Sequence, residues 1–432
     1  MHHNRHFLLL IFIFFTSLTQ GQTMVSGNVS GEWDFRNSPY HLTGDVLVPT
    51  GDTLIVSSGV VIRALGGYEL RVAGLLNMSD ARLTQGDGIF VESGTAILSN
   101  SRIDSTTNGI KAFGGHLQIT GAIVENVAQT GIEFHSAAQG FVTHSTIQGC
   151  GRYGIRVTSS NNVLIRHNTL TGNSTSNTTY PAIFIDSCSP DTVMDNMVVD
   201  NHAQGMGVWA LTGAAAPTIR HNLVRGNFTG ITIVNGTPII RDNIVVGNFV
   251  TGNPNSGAGL YIGYPNGNPI CTGNLIAGNY YGISIISSGS ANLGDVGNAA
   301  QNDDGLNLFA GNSLNGVTWN IWNDTPNAIN AQNNIWLDAN LSNIDQTIYD
   351  DNESSTSGVV TYQPIATLNA TVSDLNHDEL VNVADAVALV EMILENQIPE
   401  PVVYYFSDVN QDFVVNILDV FALIDHVLAR DI

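Results

Sequence analysis

The sequence predicts a solenoid of short parallel β-strands followed by a small all-α unit, and three observations carry that prediction. First, a phrase of a small residue, an aliphatic, any residue and usually another aliphatic occurs nine times between Gly88 and Ile285. It runs from Gly88-Ile89-Phe90-Val91 through Gly131-Ile132-Glu133-Phe134 and Gly230-Ile231-Thr232-Ile233 to Gly282-Ile283-Ser284-Ile285. The interval of about 21–29 residues is the period of a solenoid. Second, an Asn-x4-Asn phrase keeps step with the first at Asn168/Asn173, Asn196/Asn201, Asn222/Asn227, Asn243/Asn248 and Asn274/Asn279. Third, a 3.6-residue apolar period appears only after Pro364, in Val383–Asn396 and Ile417–Asp431, and predicts two amphipathic helices.

Each phrase alternates inward and outward and so reads as a half-buried strand. One such strand cannot bury its aliphatic face alone. Stacking copies about 4.8 Å apart gives continuous parallel sheets around a shared core. Asn and Gly tolerate the left-handed backbone of the corners, and stacked Asn amides can bond from coil to coil. On these repeats and corners the chain resembles the right-handed parallel β-helix family of secreted, pectate-lyase-like proteins. One fold of this kind hosts many activities, so the resemblance speaks to architecture before function.

From the start of the chain, residues 1–22 read as an export signal. Arg5 gives a basic start, Phe7–Phe15 an apolar run too short to span a bilayer, and Thr16–Gly21 small and polar residues for cleavage. The expected location is therefore secreted or cell-surface associated, and no later stretch is apolar enough to cross a membrane. Residues 23–364 form the predicted solenoid. Within them, 24–84 read as strands of a distinct pattern that begin it, with Trp33 and Tyr40 closing its open end. Ser174–Tyr180 and Thr251–Ser256 read as loops, Ala291–Gly311 as an excursion that breaks the rhythm, and Ala328–Trp336 as a last coil. Residues 343–364 read as the exit and 365–372 as a linker.

The last segment, 373–432, carries a doubled cation-loop pattern. Oxygen donors stand at Asp374, Asn376, Asp378, Asn382 and Asp385, with the Leu380 carbonyl between them. The second set is Asp408, Asn410, Asp412, Asn416 and Asp419, with the Val414 carbonyl. These are positions one, three, five, nine and twelve of a twelve-residue loop, with seven as the carbonyl, a spacing that wraps hard oxygens round one Ca2+ per loop. Val381 and Val415 at position eight should point into the small core. Position six, where Gly makes the sharp turn, holds Glu379 and Phe413 instead. The doubled loop and helix, with Asp at position twelve, resembles the dockerin domain. That resemblance implies calcium binding and docking to a cohesin-type scaffold protein, in the company of secreted, often carbohydrate-active proteins. Positions ten and eleven, which help choose the partner in that family, are Val383-Ala384 and Ile417-Leu418 here.

Composition narrows the partners. There are 14 Lys and Arg against 37 Asp and Glu, a formal charge of −23, and Lys111 is the only lysine. This argues against nucleic acid and anionic membranes. Three cysteines, Cys150, Cys188 and Cys271, make neither a disulfide framework nor a zinc site, and Cys271 falls at a core position.

The outward face of the strands holds the candidates for chemistry. Glu133, His135, Arg156 and Asp186 are the catalytic candidates: a β-eliminating lyase needs a base beside a uronate carboxylate, and an inverting glycosidase needs two carboxyls about 6.5–9.5 Å apart. Strand geometry puts Glu133 and Asp186 roughly 12 Å apart, and Lys111, Glu133 and Arg156 also read as a surface ion-pair ladder. Phe184, Trp209 and Tyr261 are candidates for a sugar-stacking platform, or else for packing beneath the long loops. A second polar column, His144, His167, Asp195, His221 and Asp242, precedes the Asn corner, with Arg166, Arg220 and Arg241 beside it. Two functions follow: a calcium-binding, dockerin-bearing β-helix that binds or processes polysaccharide as a polysaccharide lyase or glycoside hydrolase does, or a non-catalytic structural or adhesive module with the solenoid as spacer.

Overall fold

The computed structural model describes residues 22–432 apart from 190, 212–213, 254–256, 369–372, 377, 396 and 431–432. All but Gln22 of the expected export signal lies outside the described residues, as does half of the expected linker. Strands stack into one 26-stranded sheet and one 11-stranded sheet. Pairing is parallel from rung to rung, the exception being a short antiparallel hairpin, Ser313–Leu314 with Val317–Thr318. No helix falls between residues 88 and 285 among the described residues.

Matched positions lie above one another. Ile89, Ile110, Ile132, Ile155 and Ile183 are register partners in turn, and each is at most 1 % exposed. The small residue before them is needed because a neighbouring backbone passes close: a Cβ at Gly131 would stand 2.7 Å from the Gly154 carbonyl oxygen. Strand pairing corrects one register. Read along the sequence, the phrase starts at Gly207, yet Ile183 pairs with Met206 and Asp186 with Trp209. The counterpart of Gly131 is Gly205, whose Cβ would stand 2.9 Å from the Gly230 oxygen, while one at Gly207 would meet the Pro181 ring at 2.6 Å. A two-residue slip preserves inward and outward parity, so alternation alone does not detect it.

Residues 40–84 are regular rungs, not strands of a distinct pattern, since Val46 pairs with Leu70, Leu54 with Leu76 and Ile62 with Leu83. Trp33 and Tyr40 stack at 4.6 Å over the first rungs and are buried. Residues 307–312 likewise belong to the repeat and not to the excursion, because Asn307 and Asn312 continue both Asn ladders. In the ladder of buried Asn from Asn168 to Asn334, each member passes a backbone N–H and an Nδ2–H to the Oδ1 of the one above at 2.8–3.1 Å. This satisfies backbone donors that the turning chain leaves without a strand partner. Cys271 lies in the core in register with Ile240, and Cys150 and Cys188 are buried and free, their thiols pushed up to about 12 by burial.

One buried carboxyl departs from the ladder. Asp191 accepts the Val163 N–H at 2.8 Å while its other oxygen has no partner among the described residues, and burial pushes it up to about 6. The folded value lies above the unfolded one, so stability is complete below about pH 4 and declines as pH rises through 6. Asp191→Asn is therefore expected to gain on the order of 2 kcal/mol at pH 7.5 and little at pH 4, read as melting temperatures at both values.

Beyond the last coil, where Trp336 stacks on Phe309 at 4.9 Å, a short helix α1 spans Leu341–Asp345. The C-terminal unit then forms α2 (Val383–Glu395), α3 (Pro401–Ser407) and α4 (Ile417–Arg430). The two expected helices are present. α3 was not expected; its seven residues are too few to show a period, and their Val, Tyr and Phe favour strand. Ala386, Leu389, Val420, Leu423 and Val427 make a small core, and Val381 and Val415 pack on it.

This core is not independent of the solenoid. A second cluster joins Tyr404, Ile398, Phe413 and Val415 to Ile244, Val246, Leu275, Ala277 and Leu308 on the outside of the rungs. In the early rungs the outward positions of these strands are polar, Arg102 and Asp104 or Thr146 and Gln148. In the later rungs the same positions become apolar, and the C-terminal unit covers them.

Candidate functional site

The strand face places the catalytic candidates as follows. Glu133 is 4 % exposed and lies between two cations, with Arg156 Nη1 at 2.9 Å and Lys111 Nζ at 3.5 Å. Its rung neighbours in register are those two residues, so the column is an ion-pair ladder. Arg156 also lies over the Tyr153 ring. His135 contacts the Ser136 hydroxyl and packs against Phe113. Asp186 is two rungs and two residues from Glu133, accepts from Ser187 Oγ at 2.8 Å and Leu211 N–H at 3.2 Å, and has Trp209 as its register partner. The face therefore holds one locked carboxylate and one distant, hydrogen-bonded one.

The aromatics do not form a row. Phe184 is 3 % exposed, stacked on Tyr153 at 5.0 Å and edge-on to Trp209 at 5.2 Å. That corrects its assignment as a sugar platform: it packs beneath its neighbours. With the register corrected, Gly207 and Thr232 separate Phe184 from Tyr261, and only Trp209 and Tyr261 keep partial exposure.

The second polar column is a true stack. His144, His167, Asp195, His221 and Asp242 each occupy the same corner with φ between 51° and 56°. Asp195 collects the group: His221 Nδ1 is 2.7 Å from Oδ1, Arg166 Nε is 3.0 Å from Oδ2, and the His144 and His167 rings lie 4.8 Å apart. The His221 and Arg166 hydrogen bonds hold the Asp195 carboxyl below its ordinary value against the opposing effect of burial, while burial lowers His167.

The two loops of the C-terminal unit repeat one hydrogen-bond scheme. Asp374 accepts from the N–H of Asp378 and Glu379, and Asp408 from those of Asp412 and Phe413. Asp385 accepts from Leu375, Asn376 and Asn382, and Asp419 from Asn410 and Asn416. Asp385 and Asp419 are fully buried, and Asp374 and Asp408 nearly so. No three His, Cys, Asp or Glu side chains of the described residues are drawn together as a metal cluster. The donor chemistry nevertheless fits a hard cation: buried carboxylates face each other with no basic partner in ion-pair range among the described residues, and burial pushes Asp408 up to about 6. The residues in place to hold such an ion are Asp374, Asn376, Asp378, Asn382 and Asp385 with the Leu380 carbonyl, and Asp408, Asn410, Asp412, Asn416 and Asp419 with the Val414 carbonyl. Position six takes a left-handed backbone in both loops, at Glu379 and Phe413.

Residues 87–250 match the family model described as right handed beta helix region, which makes the solenoid right-handed. Residues 192–341 match a model described as a protein of unknown function, DUF1565. No curated protein sequence matches the chain. Among solved structures, a double mutant of the periplasmic alginate epimerase AlgG is similar at 13 % identity, over 75 % of this chain and 77 % of that one, with a TM-score of 0.48. The A-module of the Azotobacter vinelandii mannuronan C-5 epimerase AlgE4 is similar at 12 % identity, over 68 % and 86 %, with a TM-score of 0.44. Pectate lyase Pel9A is similar at 11 % identity, over 76 % and 74 %, with a TM-score of 0.33.

Proposed function

We propose that the chain is a secreted β-helix protein that binds polysaccharide and is held by a calcium-built, dockerin-type C-terminal unit to a cohesin-type scaffold partner. The observation that carries this reading is the doubled loop, in which two segments 34 residues apart bury the same Asp pair with the same backbone bonds. Calcium in each loop supplies the charge that these carboxylates otherwise lack. Position ten or eleven of each loop stays open to a partner: Val383, Ile417 and Leu418 are each more than half exposed. Among the described residues no helix is long and apolar enough to cross a membrane.

The second reading, a non-catalytic spacer or adhesive module, is favoured by the state of Glu133. A carboxylate gripped by Lys111 and Arg156 is a poor general base, because the two cations occupy its oxygens. A glycan panel screened for binding and for cleavage separates the readings. Binding without product release is expected. Product release lost in Glu133→Gln or Asp186→Asn would make the chain an enzyme, and no binding to any glycan would leave the spacer.

A further inference from the structure

The two cation loops share one ligand pattern but not one setting. Residues 374–385 and 408–419 each offer, at the ligand positions, three Asp and two Asn side chains and one carbonyl. In the second loop, position six rests on the solenoid. An added Cβ on Gly247, Gly278 or Gly311, at the corner of three successive rungs, would stand 3.6, 2.2 or 3.7 Å from the Phe413 side chain. Tyr404, buried in the cluster that covers the rungs, donates its hydroxyl to the Phe413 carbonyl at 2.8 Å. Val415, at position eight, packs both on that cluster and on the small helical core. The Val414 carbonyl, the ligand at position seven, therefore lies between two residues held from outside the loop. In the first loop Glu379 is exposed at position six and Leu380 is 64 % exposed at position seven. Val381, at position eight, belongs to the helical core cluster and not to the one that covers the rungs.

That difference bears on ion capture. A loop ordered only by its ion gives up conformational entropy on binding, whereas a loop already held in place gives up less. Ligand chemistry does not separate the two sites. Neither does backbone strain, since Glu379 and Phe413 both take a left-handed backbone, at φ 69° and 64°. Glu379 adds one negative charge beside the first loop, which favours that site, but the residue is exposed and such charges are screened and contribute little. Support from the rungs is left as the main asymmetry, and it works in both directions. Whatever factor docking adds to ion affinity, ion binding adds to docking, and coupling of this kind is typically about 5–150-fold.

We propose that the solenoid completes the second calcium site: seated on the rungs, the 408–419 loop binds calcium more tightly than the 374–385 loop, and docking and ion capture there strengthen each other. The inference rests on the calcium reading above and adds the order in which the loops fill. As calcium falls, the first loop empties while the unit stays seated, and the second empties only as the unit leaves the rungs. The test is calorimetry of calcium added to the chelator-treated full chain. Two binding events are expected, the tighter separated from the weaker by about tenfold or more. Asn410→Ala should weaken the tighter event and Asn376→Ala the weaker, each being the exposed ligand at position three of its loop. The double variant Ile244→Thr/Leu275→Thr, which strips the apolar seat, should weaken the tighter event by about tenfold and leave the weaker as it is. Thr146 and Thr169 hold the same place in earlier rungs, so threonine suits the strand there. Unchanged hydrogen-exchange protection along the Asn ladder shows that the variant's solenoid is folded. Two events of equal affinity, a tighter event that follows Asn376, or a tighter event unmoved in the double variant each overturns the coupling and leaves the calcium reading standing. Absence of calcium uptake by the parent chain overturns both.

Discussion

Phe413→Ala is expected to lift the C-terminal unit off the solenoid while leaving both intact. Phe413 occupies loop position six with φ +64°, a conformation that costs an aromatic residue about 1–2 kcal/mol. The strain is offset by where the ring lands. A Cβ on Gly278 would stand 2.2 Å from the ring, and Gly247 and Gly311 of the neighbouring rungs lie against the same side chain. The second corner thus presents a column of glycines, and the ring rests on it. Tyr404, buried against the same rungs, donates its hydroxyl to the Phe413 carbonyl at 2.8 Å, and burial pushes that phenol up to about 12. Removing the ring should cost the docked state about 2–3 kcal/mol, less than for a fully enclosed Phe because the side chain is half-buried. Gly278→Val should lift the unit from the other side, since it fills the seat of the ring, with added strain at its own corner where Gly278 has φ +64°. Loss of hydrogen-exchange protection in α3 in both variants is the expected reading. Protection retained in both would mean that the unit is held elsewhere.

Asp385→Ala with Asp419→Ala is expected to abolish calcium uptake. Each carboxylate closes its loop at position twelve and is fully buried, with two or three backbone N–H groups bound to it. Losing one ligand should weaken its loop by at least about tenfold, by comparison with outer-shell changes that cost 10–100-fold. Because ion binding and folding share one free energy in units this small, α2 and α4 should lose helix content together. Calorimetry of calcium binding and circular dichroism of the double variant check this, and parent-like uptake would mean that the loops do not hold the ion.

Much of the fold was legible in the residues. The repeated phrase determined which aliphatics face inward, and the Asn-x4-Asn pairs determined the ladders, because both depend on local alternation and on a corner that few residue types tolerate. With Gly205 and Gly207 two positions apart, the sequence pattern placed one strand at Gly207, two residues off; the pairing of Ile183 with Met206 places it at Gly205. The docking face was visible but unread: the outward positions of Ile244-Val245-Val246 and Leu275-Ile276-Ala277 are apolar where Thr146-Ile147-Gln148 is polar. A strand that stops alternating on an outer surface has something on top of it. Phe413 in place of Gly was the matching half of that signal.

Hydrogen exchange on the full chain, with calcium present and after chelation, tests most directly whether an ion-built helical unit sits on a self-sufficient solenoid. Chelation is expected to strip protection from residues 383–395 and 417–429 and to loosen α3, while the amides of Asn196, Asn222 and Asn243, bonded along the ladder, keep theirs. Unchanged protection in the helices, or loss along the ladder at the same time, would contradict it.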